Sequence, residues 1–201
     1  MNSNTPAPKL SDDVINQIKD FPKPDYYYNL PFYNHLTEEQ KSLIDELIPN
    51  EELRERYKKY GLCKECSQPN TGISYYRNWT GWCQSCNSKH FQQDFNKWTS
   101  GNKEIDEFIQ KFQLNATRYE EVLGWIPYEN FKDIEYLAKG GFGTVHKAKW
   151  IDGFIHYWDI DQNKWNRYGD GKYIVLKCLN NSQNLTTDFL QEVCTVVCIY
   201  Y

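Results

Sequence analysis

Leu137-Ala138-Lys139-Gly140-Gly141-Phe142-Gly143-Thr144-Val145, with Tyr173-Ile174-Val175-Leu176-Lys177 further along, decides how the second half of the chain folds. Residues 131–139 and 144–150 are β-prone runs on either side of the glycines, so the pattern predicts an antiparallel hairpin with a glycine turn. Glycine has no Cβ to hold an anion away, and such a turn presents backbone N–H groups to a phosphate. The run ending in Lys177 predicts a further strand, on which residues 175 and 177 share a face. A lysine there adds a point charge beside the turn.

Composition bounds the rest. The chain has 201 residues, room for one domain or two small ones. Its formal charge is −4 and no basic block forms a phosphate-tracking stripe, so no nucleic-acid partner is expected. Aromatic residues make up 16%, with 16 Tyr and 7 Trp, set in short polar stretches that favour small aromatic-rich modules over one large aliphatic core. No run approaches the roughly 18 apolar residues of a membrane span, and the start, Met1-Asn2-Ser3-Asn4-Thr5-Pro6, lacks the charged and apolar regions of a signal peptide. No membrane partner is expected, and a cytoplasmic or nuclear location is. Seven cysteines in a reducing compartment do not form a disulfide framework.

Residues 1–35 are polar and punctuated by Pro6, Pro8, Pro22, Pro24 and Pro31, which predicts a disordered N-terminal segment. Its aromatic run, Tyr26-Tyr27-Tyr28 with Phe32 and Tyr33, can dock onto the following module or onto a partner. Thr37-Glu38-Glu39-Gln40 fits a capping box ahead of Leu43, Ile44 and Leu47 on one helical face. A second helix is predicted over residues 51–60, closed by Gly61 in a left-handed cap.

Cys63-Lys64-Glu65-Cys66 and Cys83-Gln84-Ser85-Cys86 then give C-x2-C-x16-C-x2-C. Each C-x2-C turn puts two thiolates on one side of a tight loop, and two such loops supply the four-sulfur shell of structural zinc. Cys63, Cys66, Cys83 and Cys86 are the expected ligands, with His90 an alternative that a full four-cysteine shell leaves unused. A helix is expected from Asn87 to Trp98, and another face recurs at Ile105, Phe108, Ile109 and Phe112. Residues 36–125 thus read as a helical region with a four-cysteine zinc module, the junction lying at Gly124-Trp125-Ile126-Pro127-Tyr128.

The glycine stretch and the later lysine resemble the first half of the ATP site of the protein kinase family. Gly140, Phe142, Gly143 and Val145 stand where the family pattern G-x-G-x-F-G-x-V has its second glycine, phenylalanine, third glycine and valine, and Ala138 replaces the first glycine. Val175 and Lys177 match the V-A-x-K strand, with valine in place of the alanine. In Phe189-Leu190-Gln191-Glu192-Val193, Glu192 stands where a helix glutamate pairs with that lysine. The resemblance therefore implies ATP held by Ala138, Gly140, Gly141, Phe142, Gly143, Val145, Val175, Lys177 and Glu192. Residues 151–172, longer than the usual link between the family's second and third strands, predict an aromatic hairpin from Phe154-Ile155-His156-Tyr157-Trp158 and Trp165-Asn166-Arg167-Tyr168. Such an insertion with an upstream cysteine module is similar to that of large kinase-like families in some fungi.

The expected fold class is α+β: a small helical zinc module followed, over residues 126–201, by a partial protein-kinase-like N-lobe of antiparallel sheet plus one helix. The family's activity is ATP-dependent phosphorylation of protein Ser/Thr or Tyr. The sequence contains neither H-R-D-x-x-x-x-N nor D-F-G, so no catalytic residue is assigned and the chain alone is expected to be inactive. The uncharged, β-prone tail Cys194-Thr195-Val196-Val197-Cys198-Ile199-Tyr200-Tyr201 departs from the family pattern and reads as the end of a truncated or mis-spliced product. The alternative is a zinc-containing scaffold that binds protein partners, its glycine loop a relic.

Overall fold

The computed structural model describes residues 8–21, 36–73, 81–141 and 143–179. Phe142, Glu192 with its expected helix, the aromatic run at 26–33 and the tail after residue 193 lie outside the described residues. The chain divides into two compact units, Met1–His90 with Leu114–Glu121, and Phe91–Gln113 with Val122–Tyr201.

Three short helices build the apolar core of the first unit: α1 (Asp12–Ile18), α2 (Glu38–Leu47) and α3 (Glu51–Tyr60). Each begins on a residue whose side chain satisfies an orphan backbone donor. Ser11 caps α1, Asn50 accepts from Leu53 N at 3.0 Å, and Thr37 makes the expected capping box, with Gln40 N donating to Thr37 Oγ1 at 3.2 Å and Thr37 N to Gln40 Oε1 at 2.9 Å. Gly61 ends α3 at φ 66°, where a Cβ would be strained, and donates to Tyr57 O; its ψ of −166° is not the left-handed cap expected of it.

Leu10, Ile15, Ile18, Leu36, Ile44, Ile48, Leu53 and Tyr57 form the buried cluster. The presence of α1 corrects the expectation of disorder for residues 12–18. Val14, Ile15 and Ile18 are an i, i+1, i+4 set too short to stand out in a polar, proline-flanked stretch, yet they are what α2 and α3 need to close their apolar face. The helix is also tied down by polar contacts. Tyr57 Oη donates to Ile18 O at 3.0 Å, and Leu10 and Gln68 exchange a reciprocal pair, Leu10 N to Gln68 Oε1 at 2.7 Å and Gln68 Nε2 to Leu10 O at 3.1 Å.

After the two-residue ribbon β1 (Gly72–Ile73) and β2 (Gly81–Trp82) come α4 (Gln84–Asp94) and α5 (Lys103–Asn115). Phe108 and Ile109 on the predicted face of α5 are buried, and Phe108 packs on Phe112 with centroids 4.9 Å apart.

The second unit carries β3 (Phe131–Gly140), β4 (Gly143–Trp150), β5 (Phe154–Asp159), β6 (Lys164–Tyr168) and β7 (Lys172–Leu179). Strands β3, β4 and β7 form an antiparallel sheet in the order β3-β4-β7, with β4 central, and β5 and β6 form a separate antiparallel ribbon. That ribbon is the predicted aromatic hairpin. Trp158 meets Trp165 edge-on at 5.2 Å, Trp150 meets Phe154 at 4.5 Å, and Gly153, at φ 71°, lies so close to Tyr168 O and Asp170 N that a side chain there would collide with both. Among the described residues the architecture is α+β with antiparallel sheets, and no helix is long and apolar enough to cross a membrane.

Two measurements check this packing. Ile18 is 1% exposed, so Ile18→Ala is expected to cost about 2–5 kcal/mol in chemical unfolding of the first unit; a loss under about 0.5 kcal/mol would mean that α1 does not belong to the core. Burial of His156 among Tyr157 and Tyr168 pushes its imidazole below its ordinary value of 6.5, so the fold holds the neutral form. The unfolded chain then takes up the proton first. Stability is fully present above about pH 6.5 and is lost as pH falls from there through the lowered folded value. The melting temperature is expected to fall between about pH 7 and about pH 5, less steeply in His156→Gln than in the parent; equal slopes would remove His156 from this role.

Candidate functional sites

The four-cysteine site is assembled by two different backbone devices. In the first, residues 63–66 form a turn closed by Ser67 N donating to Cys63 O at 2.9 Å and Cys63 N to Gln68 O at 2.8 Å, with Ser67 at φ 56°. Glu65 N points at Cys63 Sγ, 3.4 Å away, a donor that favours the thiolate. In the second, Cys83 follows β2 directly and Cys86 lies in the first turn of α4, where the helix dipole also favours negative sulfur. Thr71 braces this junction: its Oγ1 donates to Trp82 O at 3.0 Å and accepts from Gln84 N at 3.1 Å. Trp82 Nε1 donates to Ala116 O at 2.8 Å and Gln84 Nε2 to Leu114 O at 2.6 Å.

The four Sγ atoms lie within 4.8 Å of one another, with Cys63–Cys86 at 3.9 Å and Cys66–Cys83 at 3.7 Å. A disulfide needs about 2.05 Å, so the contacts are between free thiols. A tetrahedron with metal–sulfur bonds of about 2.3 Å has sulfur–sulfur edges of about 3.8 Å, which the two shortest separations match. Mutual hydrogen bonds push the Cys63 and Cys86 thiols up, from Cys66 and Cys63 respectively, and hold those of Cys66 and Cys83 down, in both cases chiefly from Cys63. Four thiolates this close repel, and a divalent cation lets all four be ionised together. Cys63, Cys83 and Cys86 are buried and Cys66 half-buried, and a closed four-sulfur shell leaves no position for a substrate or water. The donor set fits a structural metal ion such as zinc.

His90 is not in the cluster. Its Nε2 meets Glu65 Oε2 at 2.8 Å, so the histidine fastens the first cysteine turn to α4. The signal was present in the spacing, since His90 is four residues after Cys86 and shares its helical face.

The other candidate site is the face below the glycine turn. Gly140 pairs with Gly143 next to the turn at Gly141; Ala138 pairs with Val145, and Val145 with Lys177. Directly paired residues of an antiparallel sheet share a face, so Ala138, Val145 and Lys177 form one row and Val175, 40% exposed, stands in the next, opposite Lys147. Of the residues read from sequence, the structure brings Ala138, Gly140, Gly143, Val145, Val175 and Lys177 onto this hairpin and its neighbouring strand. Lys177 is exposed and makes no ion pair among the described residues. A contact that sequence reading missed is Lys147 Nζ over the Tyr173 ring, 4.2 Å from its centroid.

Purified protein is expected to carry about one zinc per chain by elemental analysis, and Cys83→Ser to lose both the metal and the thermal stability it supplies. Metal-free protein with an unchanged melting temperature would remove the assignment. No protein-family model matches this sequence, no curated protein matches it, and no solved structure matches it.

Proposed function

We propose that the chain joins a zinc-stabilised helical module to a protein-kinase-like nucleotide-binding sheet. The observation that carries this reading is the register Ala138–Val145–Lys177 beneath the Gly140–Gly143 turn. In that arrangement glycine N–H groups face the phosphates, Val145 and Val175 offer apolar surface to a base, and Lys177 supplies the charge opposite the β- and γ-phosphates. Ala138 in place of a glycine narrows the backbone conformations at the start of the turn, and the valine at 175 adds bulk under the base, so binding is expected to be weak. The zinc module has a stabilising role, since its four-sulfur shell is closed.

Nothing in the 201 residues supplies the catalytic aspartate or the metal-holding one of the family, and phosphotransfer by this chain alone is expected to be absent. A second reading, a scaffold that binds proteins, is favoured by the exposure of Ile134, Tyr136 and Leu137 along β3.

Nucleotide titration decides between them. Addition of Mg·ATP at millimolar concentration is expected to raise the melting temperature of the parent and not of Lys177→Ala. The same shift in both proteins, or none in either, would overturn nucleotide binding through this face. Phosphotransfer by the parent that disappears in Lys177→Met would overturn the expected inactivity.

A further inference from the structure

The register of the three-stranded sheet sorts its lysines. On β4, Lys147 and Lys149 alternate with His146 and Ala148, so they point to one face; Lys132 pairs with Lys149 from β3, and Lys177, two rows along β7, is on that face through its pairing with Val145. The contact of Lys147 Nζ with the Tyr173 ring places those two side chains together on it, and the contacts of His146 with Tyr136 and Cys178 belong to the other face. Among the described, directly paired residues, one face therefore carries Lys132, Lys147, Lys149 and Lys177, with Glu135 opposite Lys147. None of the four lysines makes an ion pair among the described residues, and the chain as a whole has a net charge of −4.

Two features of this face point to an occupant. Like charges directly opposite across an antiparallel pair are destabilising, yet Lys132 and Lys149 are direct partners, a cost that a bound anion would offset. The lysines also occupy three successive rows, about 6.8 Å apart, from Lys177 through Lys147 to Lys132 and Lys149. A single nucleotide under the glycine turn does not reach the last row. An extended chain of phosphates does, and Tyr173, in that last row and 50% exposed, offers a ring on which a base can stack.

We infer that this face binds single-stranded nucleic acid, its backbone running along Lys177, Lys147 and the Lys132–Lys149 pair and one base stacking on Tyr173. The inference does not rest on the nucleotide reading, because it depends on the row of Lys132, Lys149 and Tyr173, which a nucleotide at the glycine turn leaves untouched. It also explains why composition pointed away from nucleic acid: the basic residues are interleaved with others along each strand and form no run, and only strand pairing collects them.

The test is fluorescence anisotropy of a labelled oligo(dT) of about 10 nucleotides with the full chain. Binding is expected to weaken with salt at a log–log slope of about −3 for four phosphate contacts, falling to about −1.4 in Lys132→Glu/Lys149→Glu with at least a tenfold loss of affinity at low salt. Tyr173→Leu is expected to lose about tenfold with the slope unchanged. Lys103→Glu, on α5, is the control and is expected to bind as the parent does. Circular dichroism checks the fold, and the single exposed Lys132→Gln, expected to weaken binding about threefold, decides the matter if the double variant does not fold. No binding at low salt, or binding indifferent to Lys132 and Lys149, overturns the inference. Capture of inorganic polyphosphate in place of the oligonucleotide, insensitive to Tyr173→Leu, overturns it as well.

Discussion

Gly143–Trp150 is hydrogen-bonded along its length on both sides, to β3 and to β7, and the second unit's candidate chemistry follows from that one strand. Because it is central, its alternation of side chains decides which residues of three strands share a face. Val145 sets Ala138 and Lys177 in one row on either side of it under the glycine turn, and Lys149 sets Lys132 against itself. A one-residue slip of β4 would turn Val145, Lys147 and Lys149 away from the face that carries Lys177, bring His146 onto it, and dissolve both arrangements. The two irregularities in β3, between Lys132 and Glu135 and between Tyr136 and Ala138, bend that edge strand without changing its pairing at either end.

In the first unit the corresponding constraint is the four-sulfur cluster. A unit of three short helices has limited apolar surface, and its buried cluster holds only eight of the described residues. Closing a site between two turns 16 residues apart ties the loop after α3 to the start of α4, and the reciprocal Leu10–Gln68 pair extends that bracing to α1. Glu65 and His90 add a polar fastening between the two halves of the site. A metal ion held here would contribute directly to folding, since the unfolded chain has no preformed site.

Much of this was legible because the signals are local. Thr37 and Gln40 announce their capping box within four residues, the paired C-x2-C turns carry their own geometry, and Gly140–Gly143 between β-prone runs specifies a hairpin. What escaped notice depends on long-range partners. Helix α1 has three apolar residues in a polar stretch and owes its place to α2 and α3, while Tyr57 reaches it from 39 residues away. The Glu65–His90 pair joins residues 25 apart whose types are ordinary on their own.

The sequence by itself determined the spacing that gathers the four cysteines, the position of the glycine turn, the aromatic hairpin and the alternation that puts Val175 and Lys177 on one side of a strand. Each is a matter of spacing within a turn or along one strand, where covalent geometry leaves few choices. Only the tertiary structure decided that Val145 faces Lys177, that Lys132 opposes Lys149, that His90 answers Glu65 and that residue 10 braces residue 68. These are pairings between segments, set by strand register and by which apolar faces must be covered, and a reading along the chain contains no distance between segments.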